Sequence, residues 1–154
     1  MGNTFYMDED LVLLDLKERE KEAVLQHIAS ILVKKGMVKS SFEEALIKRE
    51  KEYPTGLMGN QYGIAIPHTD AEHVNKQCLS VSILKTSLEF IHMGTDDQKI
   101  PVSLIFTLAI NNPEDQLDLL QKLMALIQND TLLEQLVNSE DKKEVISLVT
   151  DALN

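Results

Sequence analysis

The chain is 154 residues long, with 44% hydrophobic residues, 26% charged residues and a formal net charge of −10. That length suits one domain able to bury a core of its own. The acidic balance argues against nucleic acid and against an anionic membrane surface, both of which call for clustered Lys and Arg; a protein partner with a basic face stays open.

The beginning, "MGNTFYMDEDL", has no basic segment followed by an apolar one, so no signal peptide is expected. Met1-Gly2 would suggest myristoylation if Ser or Thr stood at residue six, but that residue is Tyr6. No apolar stretch approaches bilayer-spanning length, and the single cysteine, Cys78, allows no intramolecular disulfide. A reducing cytoplasm is the expected compartment.

Residues 11–14 read as a first short strand. Val24, Ile28, Ile31 and Leu32 then recur at helical spacing over residues 18–35, and Gly36 is placed as a helix stop. Ser41 and Glu44 form a capping-box pattern for a second helix that must finish before Pro54. The segment "PTGLMGNQYG", with three glycines and a proline, reads as a loop. Strand signals follow at residues 64–66, 79–83, 88–91 and 102–109, the last apolar nearly throughout, as for a strand covered on both faces. Asn112-Pro113-Glu114-Asp115 is a helix start with cap, proline and acids in order. Leu117, Leu120, Leu123, Met124 and Ile127 carry that helix onward; a short helix over residues 132–137 and a last one after Ser139 complete the chain. These elements predict an α/β fold: a single domain over residues 1–154, with a mixed, mainly parallel sheet of about five strands flanked by helices on both faces.

Within "YGIAIPHTD", residues 62–70, the apolar run Ile64-Ala65-Ile66 stops at Pro67, and His68 follows at once. Proline lacks the N–H that would extend a ladder, so His68 is placed at the end of a rigid element, where functional side chains are commonly presented. From these residues alone, a presented histidine and a plain loop histidine are equal readings.

Other chemistries find little support. His68, Asp70 and His73 lie close in sequence, but no H-x-x-x-H or H-x-H spacing accompanies them, so no metal is expected. His27 reads as a helix-edge residue and His92 as a hydrogen-bonded structural one. Cys78 lacks the arginine six residues later that closes a phosphatase loop, that position being Leu84; it reads as a buried, inert thiol. The glycines near Gly56, Gly59 and Gly63 lack a Gly-Lys-Ser/Thr ending, and there is no G-x-S-x-G elbow. What remains is a histidine acting by itself. Neutral imidazole, with a reference pKa of about 6.5, is nucleophilic near neutrality and can carry a phosphoryl group as a phosphoramidate without nucleotide, metal or other cofactor.

The segment "IKREKEYPTGLMGNQYGIAIPHTD", residues 47–70, resembles the active-site region of phosphotransferase-system IIA domains of the mannitol/fructose class. The matching residues are Arg49-Glu50, Pro54-Thr55-Gly56 and Gly63-Ile64-Ala65-Ile66-Pro67-His68. The resemblance spans nearly the whole chain and implies a phosphoryl relay. The phosphocarrier HPr would charge His68, and His68 would pass the group to a cysteine on a cognate IIB component. A membrane IIC component would move the sugar. It also implies that Arg49 stands by the phosphoryl group, its planar donor fork suiting equatorial oxygens. On sequence alone Arg49 would read as a solvated charge in "KREKE". Gln116 stands where related branches carry a second histidine; it can donate a hydrogen bond but cannot titrate. The "EYPTGL" turn and the missing histidine resemble the galactitol-type branch, so galactitol or a related polyol is the expected substrate. Related IIA-like domains serve instead as phosphorylation-dependent regulators that bind other proteins, which is the alternative.

Overall fold

In chain order the protein forms β1 (Val12–Leu13), α1 (Lys21–Lys34), α2 (Phe42–Glu52), β2 (Gly56–Met58), β3 (Gly63–Ala65), β4 (Cys78–Ile91), β5 (Lys99–Ala109), α3 (Pro113–Leu126), α4 (Asp130–Val137) and α5 (Lys142–Leu153). This computed structural model describes residues 5–153, so Met1 and Gly2 lie outside the described residues. The strands lie in the order β1-β4-β5-β3-β2. Parallel pairs, β1 with β4 and β3 with β5, alternate with antiparallel ones, β4 with β5 and β2 with β3. The expected mixed five-stranded sheet is therefore present.

Each face of the sheet is sealed by its own set of helices. Leu79, Val81 and Ile83 of β4 and Leu104, Phe106 and Leu108 of β5 pack with Leu119 and Leu123 of α3, Leu133 and Leu136 of α4, and Val145 and Val149 of α5. On the other face, Ile105 and Ala109 meet Val24, Leu25, Ile28 and Leu32 of α1, and Phe42 and Leu46 of α2. Alternate residues of a strand point to opposite faces, so one apolar strand feeds both cores. Each fully buried Leu, Ile or Phe contributes about 1.5–3 kcal/mol relative to exposure.

Helix limits follow local chemistry. Lys35 caps α1, and Gly36 then adopts φ 76°, a left-handed conformation that suits glycine at a helix end. Asn112 caps α3, its side chain accepting from the N–H groups of Glu114 and Asp115, with Pro113 in the first turn.

Three expectations require correction. The stretch read as a loop contains β2, with Leu57 paired to Ile64 and Gly56 to Ala65; three residues that begin with glycine carry too little alternation to signal a strand. The separate strands at 79–83 and 88–91 are one strand, β4, whose register against β5 shifts between Ile83 and Leu88, where Lys85, Thr86 and Ser87 face solvent. Ser41 precedes α2 but makes no side-chain cap; its hydroxyl pairs with His73 Nδ1 at 2.8 Å.

Candidate functional site

His68 owes its position to the β3–β5 pairing. Gly63, Ile64 and Ala65 run parallel to β5, with Ala65 opposite Ile105. Gly63 has no room for a side chain: a Cβ there would overlap the Pro101 carbonyl oxygen. Beyond Ala65, the Ile66 N–H turns to Thr55, while the Pro67 carbonyl still accepts from Leu108 N at 3.0 Å. Pro67 thus keeps its acceptor engaged while offering no donor, and the chain leaves the sheet at His68, which is half-buried.

Among the described residues the His68 ring makes one hydrogen bond, Nδ1 to the carbonyl oxygen of Ile66 at 2.7 Å. A carbonyl can only accept, so the proton sits on Nδ1 and the lone pair on Nε2. Burial depresses the His68 pKa below its usual 6.5, and the Arg49 charge acts the same way; the Ile66 carbonyl and Asp70 pull against them. The ring is therefore neutral at neutral pH, with Nε2 able to attack.

Arg49 lies in the last turn of α2. Its guanidinium carbon sits 4.6 Å from the centroid of the Tyr53 ring, and Nη1 is 3.9 Å from Asp70 Oδ1. With Lys48, Asp70 and His73 it lines an open cleft of about 210 Å³. Its neighbour Glu50 points inward instead: it is 2% exposed, and both its oxygens accept from Thr55, Oε2 from the backbone N–H at 2.9 Å and Oε1 from the hydroxyl at 2.8 Å. Thr55 Oγ1 in turn accepts from Ile66 N at 3.2 Å. Burial raises the Glu50 pKa, and the two Thr55 hydrogen bonds oppose that rise.

Gln116 stands in the first turn of α3, its N–H bonded to Asn112 O at 3.0 Å. That helix follows β5, whose Leu108 pairs with Pro67, so Gln116 and His68 occupy the same end of the sheet. Among the described residues no hydrogen bond joins the two side chains. Gln77, which sequence reading passed over, fixes the approach to this helix: its Oε1 accepts from Asn111 N and Asn112 N at 3.0 and 2.9 Å, and its Nε2 donates to Asp115. A glutamine in a loop leaves no periodic trace, so no sequence signal marks it.

The remaining candidates take structural roles. His27 pairs with Glu18 at 2.8 Å, and His92 Nδ1 donates to the Met93 carbonyl at 2.8 Å. Cys78 is buried, and burial pushes its thiol up to about 12. Among the described residues no three His, Cys, Asp or Glu side chains gather as a metal-binding group. No helix among them is long and apolar enough to cross a membrane.

The fold is shared with phosphotransferase IIA domains of solved structure. The Escherichia coli enzyme IIAMTL, in its complex with phosphorylated enzyme IIBMTL, superposes with a TM-score of 0.77 at 24% identity, covering 96% of this chain and 99% of that one. The chain belongs to the family described as phosphoenolpyruvate-dependent sugar phosphotransferase system, EIIA 2, whose model matches residues 5–152. In sequence it is 36% identical over 118 residues to the PTS system galactitol-specific EIIA component of Escherichia coli (strain K12), across 77% of this chain and 78% of that one. It is also 31% identical over 106 residues to the transcriptional regulator ManR of Bacillus subtilis (strain 168), across 69% of this chain but 15% of the regulator.

Proposed function

We propose that residues 1–154 form one IIA domain that carries a phosphoryl group on His68 between phosphorylated HPr and a cognate IIB component. The observation that carries this reading is the His68–Ile66 hydrogen bond, which leaves Nε2 unprotonated at the end of β3. In the first transfer Nε2 attacks phosphorus as the donor's N–P bond breaks, and the donor imidazole keeps the electron pair. In the second, the IIB cysteine sulfur attacks and the His68 N–P bond breaks. Neither step needs a cofactor, because the phosphoryl group arrives already activated. Arg49 supplies a charged donor for the equatorial oxygens. Gln116, at the same end of the sheet, offers a neutral donor at most.

Galactitol or a related polyol is the substrate proposed for the system, supported by the 36% identity to a galactitol-specific component. The partners are then HPr, IIB and, through IIB, a membrane IIC component, with the domain itself in the cytoplasm. The second reading is a regulatory domain whose phosphorylation controls binding to other proteins. The likeness to ManR favours it, since a similar stretch forms part of a transcriptional regulator.

The test begins with phosphoenolpyruvate, the first general phosphotransferase component and HPr, followed by mapping of the acid-labile phosphate. Labelling confined to His68, with onward transfer to a galactitol IIB, is expected. Full labelling of His68→Ala would overturn the assignment. Labelling without transfer to any IIB would favour the regulator.

A further inference from the structure

Glu50 and Thr55 are both nearly sealed from solvent, at 2% and 3% exposure, and neither is spent on the hydrophobic core. A carboxylate inside a protein is costly unless its oxygens are satisfied, and here one threonine satisfies both. The same threonine reaches onward. Its hydroxyl donates to Glu50 Oε1 and accepts from Ile66 N at 3.2 Å, and its carbonyl oxygen lies 3.4 Å from that same N–H. Ile66 then presents its own carbonyl to His68 Nδ1 at 2.7 Å.

We propose that Glu50 and Thr55 are a positioning pair for His68: they clamp Ile66 from its N–H side, so that its carbonyl holds the proton on Nδ1 and keeps Nε2 free as the nucleophile. This rests on the reading of His68 as the phosphoryl acceptor. Neither residue touches the reacting atoms. The device is local in sequence as well as in space, because Arg49 and Glu50 are consecutive on α2. The helix turn that sends Arg49 toward the site sends Glu50 into the interior. The buried carboxylate thus anchors both the helix turn that carries Arg49 and the chain that leads from β3 to His68.

The alternative is that Glu50 and Thr55 only staple α2 to the sheet. Stability alone cannot tell the two apart, but the tautomer of His68 can. A neutral histidine free of constraint prefers its proton on Nε2, so a loosened Ile66 carbonyl would let the proton move there and block the lone pair.

The experiment compares wild type, Thr55→Val, Thr55→Ser and Glu50→Gln in the full chain. Ring nitrogens of His68 are read by 15N NMR without any phosphoryl donor, and single-turnover phosphorylation by the phosphorylated carrier is read separately. Thr55→Val keeps the shape and removes the hydroxyl. We expect its His68 signals to shift toward the Nε2–H form and its phosphorylation to slow about five- to tenfold, the weight of one ordinary hydrogen bond. Thr55→Ser restores the hydroxyl and should restore both readouts. Glu50→Gln replaces one acceptor oxygen with a donor and should move both in the direction of Thr55→Val; it carries the test if the valine variant does not fold. Wild-type tautomer signals in folded Thr55→Val or Glu50→Gln overturn the proposal, whatever the site of phosphorylation. Absence of phosphorylation at His68 in the wild type, with the tautomer shift present in the variants, would instead overturn the functional reading.

Discussion

The guanidinium of Arg49 rests over the ring of Tyr53, 4.6 Å from its centroid, one helical turn later in the chain. Tyr53 is 60% exposed, so the pair forms a platform at the end of α2, with Asp70 Oδ1 3.9 Å from Arg49 Nη1. In general a guanidinium stacked on a ring donates through its N–H edge, the edge that carboxylate and phosphate oxygens use.

Removing that donor should slow transfer. Arg49→Ala is expected to reduce single-turnover transfer from phosphorylated HPr by about ten- to a thousandfold, with the loss of one oxyanion donor as the guide. Arg49→Lys keeps the charge, loses the fork, and should fall between. Gln116→Ala should cost less than Arg49→Ala, because a neutral hydrogen bond is roughly half as strong as a charged one. An Arg49→Ala rate equal to wild type would make the arginine a solvated helix charge.

Tyr53 should matter through Arg49. Tyr53→Ala removes the stacking surface, and an exposed cation–π contact is worth about 0.5–1 kcal/mol, so a two- to fivefold loss of rate is expected. Tyr53→Phe keeps the ring and should match wild type. In an Arg49→Ala background Tyr53→Ala should have no further effect; an additive loss in that double variant would argue for a separate role.

The pH profile should show one ionisation. Protonation of Nε2 removes the lone pair, so the rate falls as pH falls through the His68 pKa. Burial holds that pKa below the usual 6.5, so the midpoint should lie on the acid side of 6.5. Gln116 does not titrate and adds no second limb. A midpoint above 6.5 in the phosphorylation rate of the free protein would contradict the environment described for His68.

Gly63 should tolerate no side chain. Gly63→Ala forces a Cβ onto the Pro101 carbonyl oxygen, and the strand must shift to admit it. A destabilisation of about 1–3 kcal/mol, typical of overpacking, is expected in denaturant unfolding. Stability within about 0.5 kcal/mol of wild type would show that β3 and β5 can part without cost.

The legible parts of the sequence were those where one residue type dominates locally. The run Ile64-Ala65-Ile66 before Pro67 marked the end of β3, and Asn112-Pro113 marked the start of α3, because caps, prolines and continuous apolar runs act over a few residues. β2 escaped because its pairing with β3, rather than any pattern of its own, makes it a strand. β4 reads as two strands in sequence because Lys85-Thr86-Ser87 is polar and exposed, although the backbone runs on through it. The inward turn of Glu50 was hidden for a similar reason. In "KREKE" it is one charge among five, and only the packing of α2 against the sheet separates it from Lys48 and Lys51. The Ser41 cap failed because His73, distant in sequence, competes for its hydroxyl.

The central claim is that His68 acts through Nε2. The protein, labelled with 15N and phosphorylated through HPr, can be examined by 15N–31P correlated NMR, which identifies the ring nitrogen bonded to phosphorus. The account predicts phosphorus on Nε2 of His68, with Nδ1 still protonated against the Ile66 carbonyl. Phosphorus on Nδ1, or on any other residue, would contradict it.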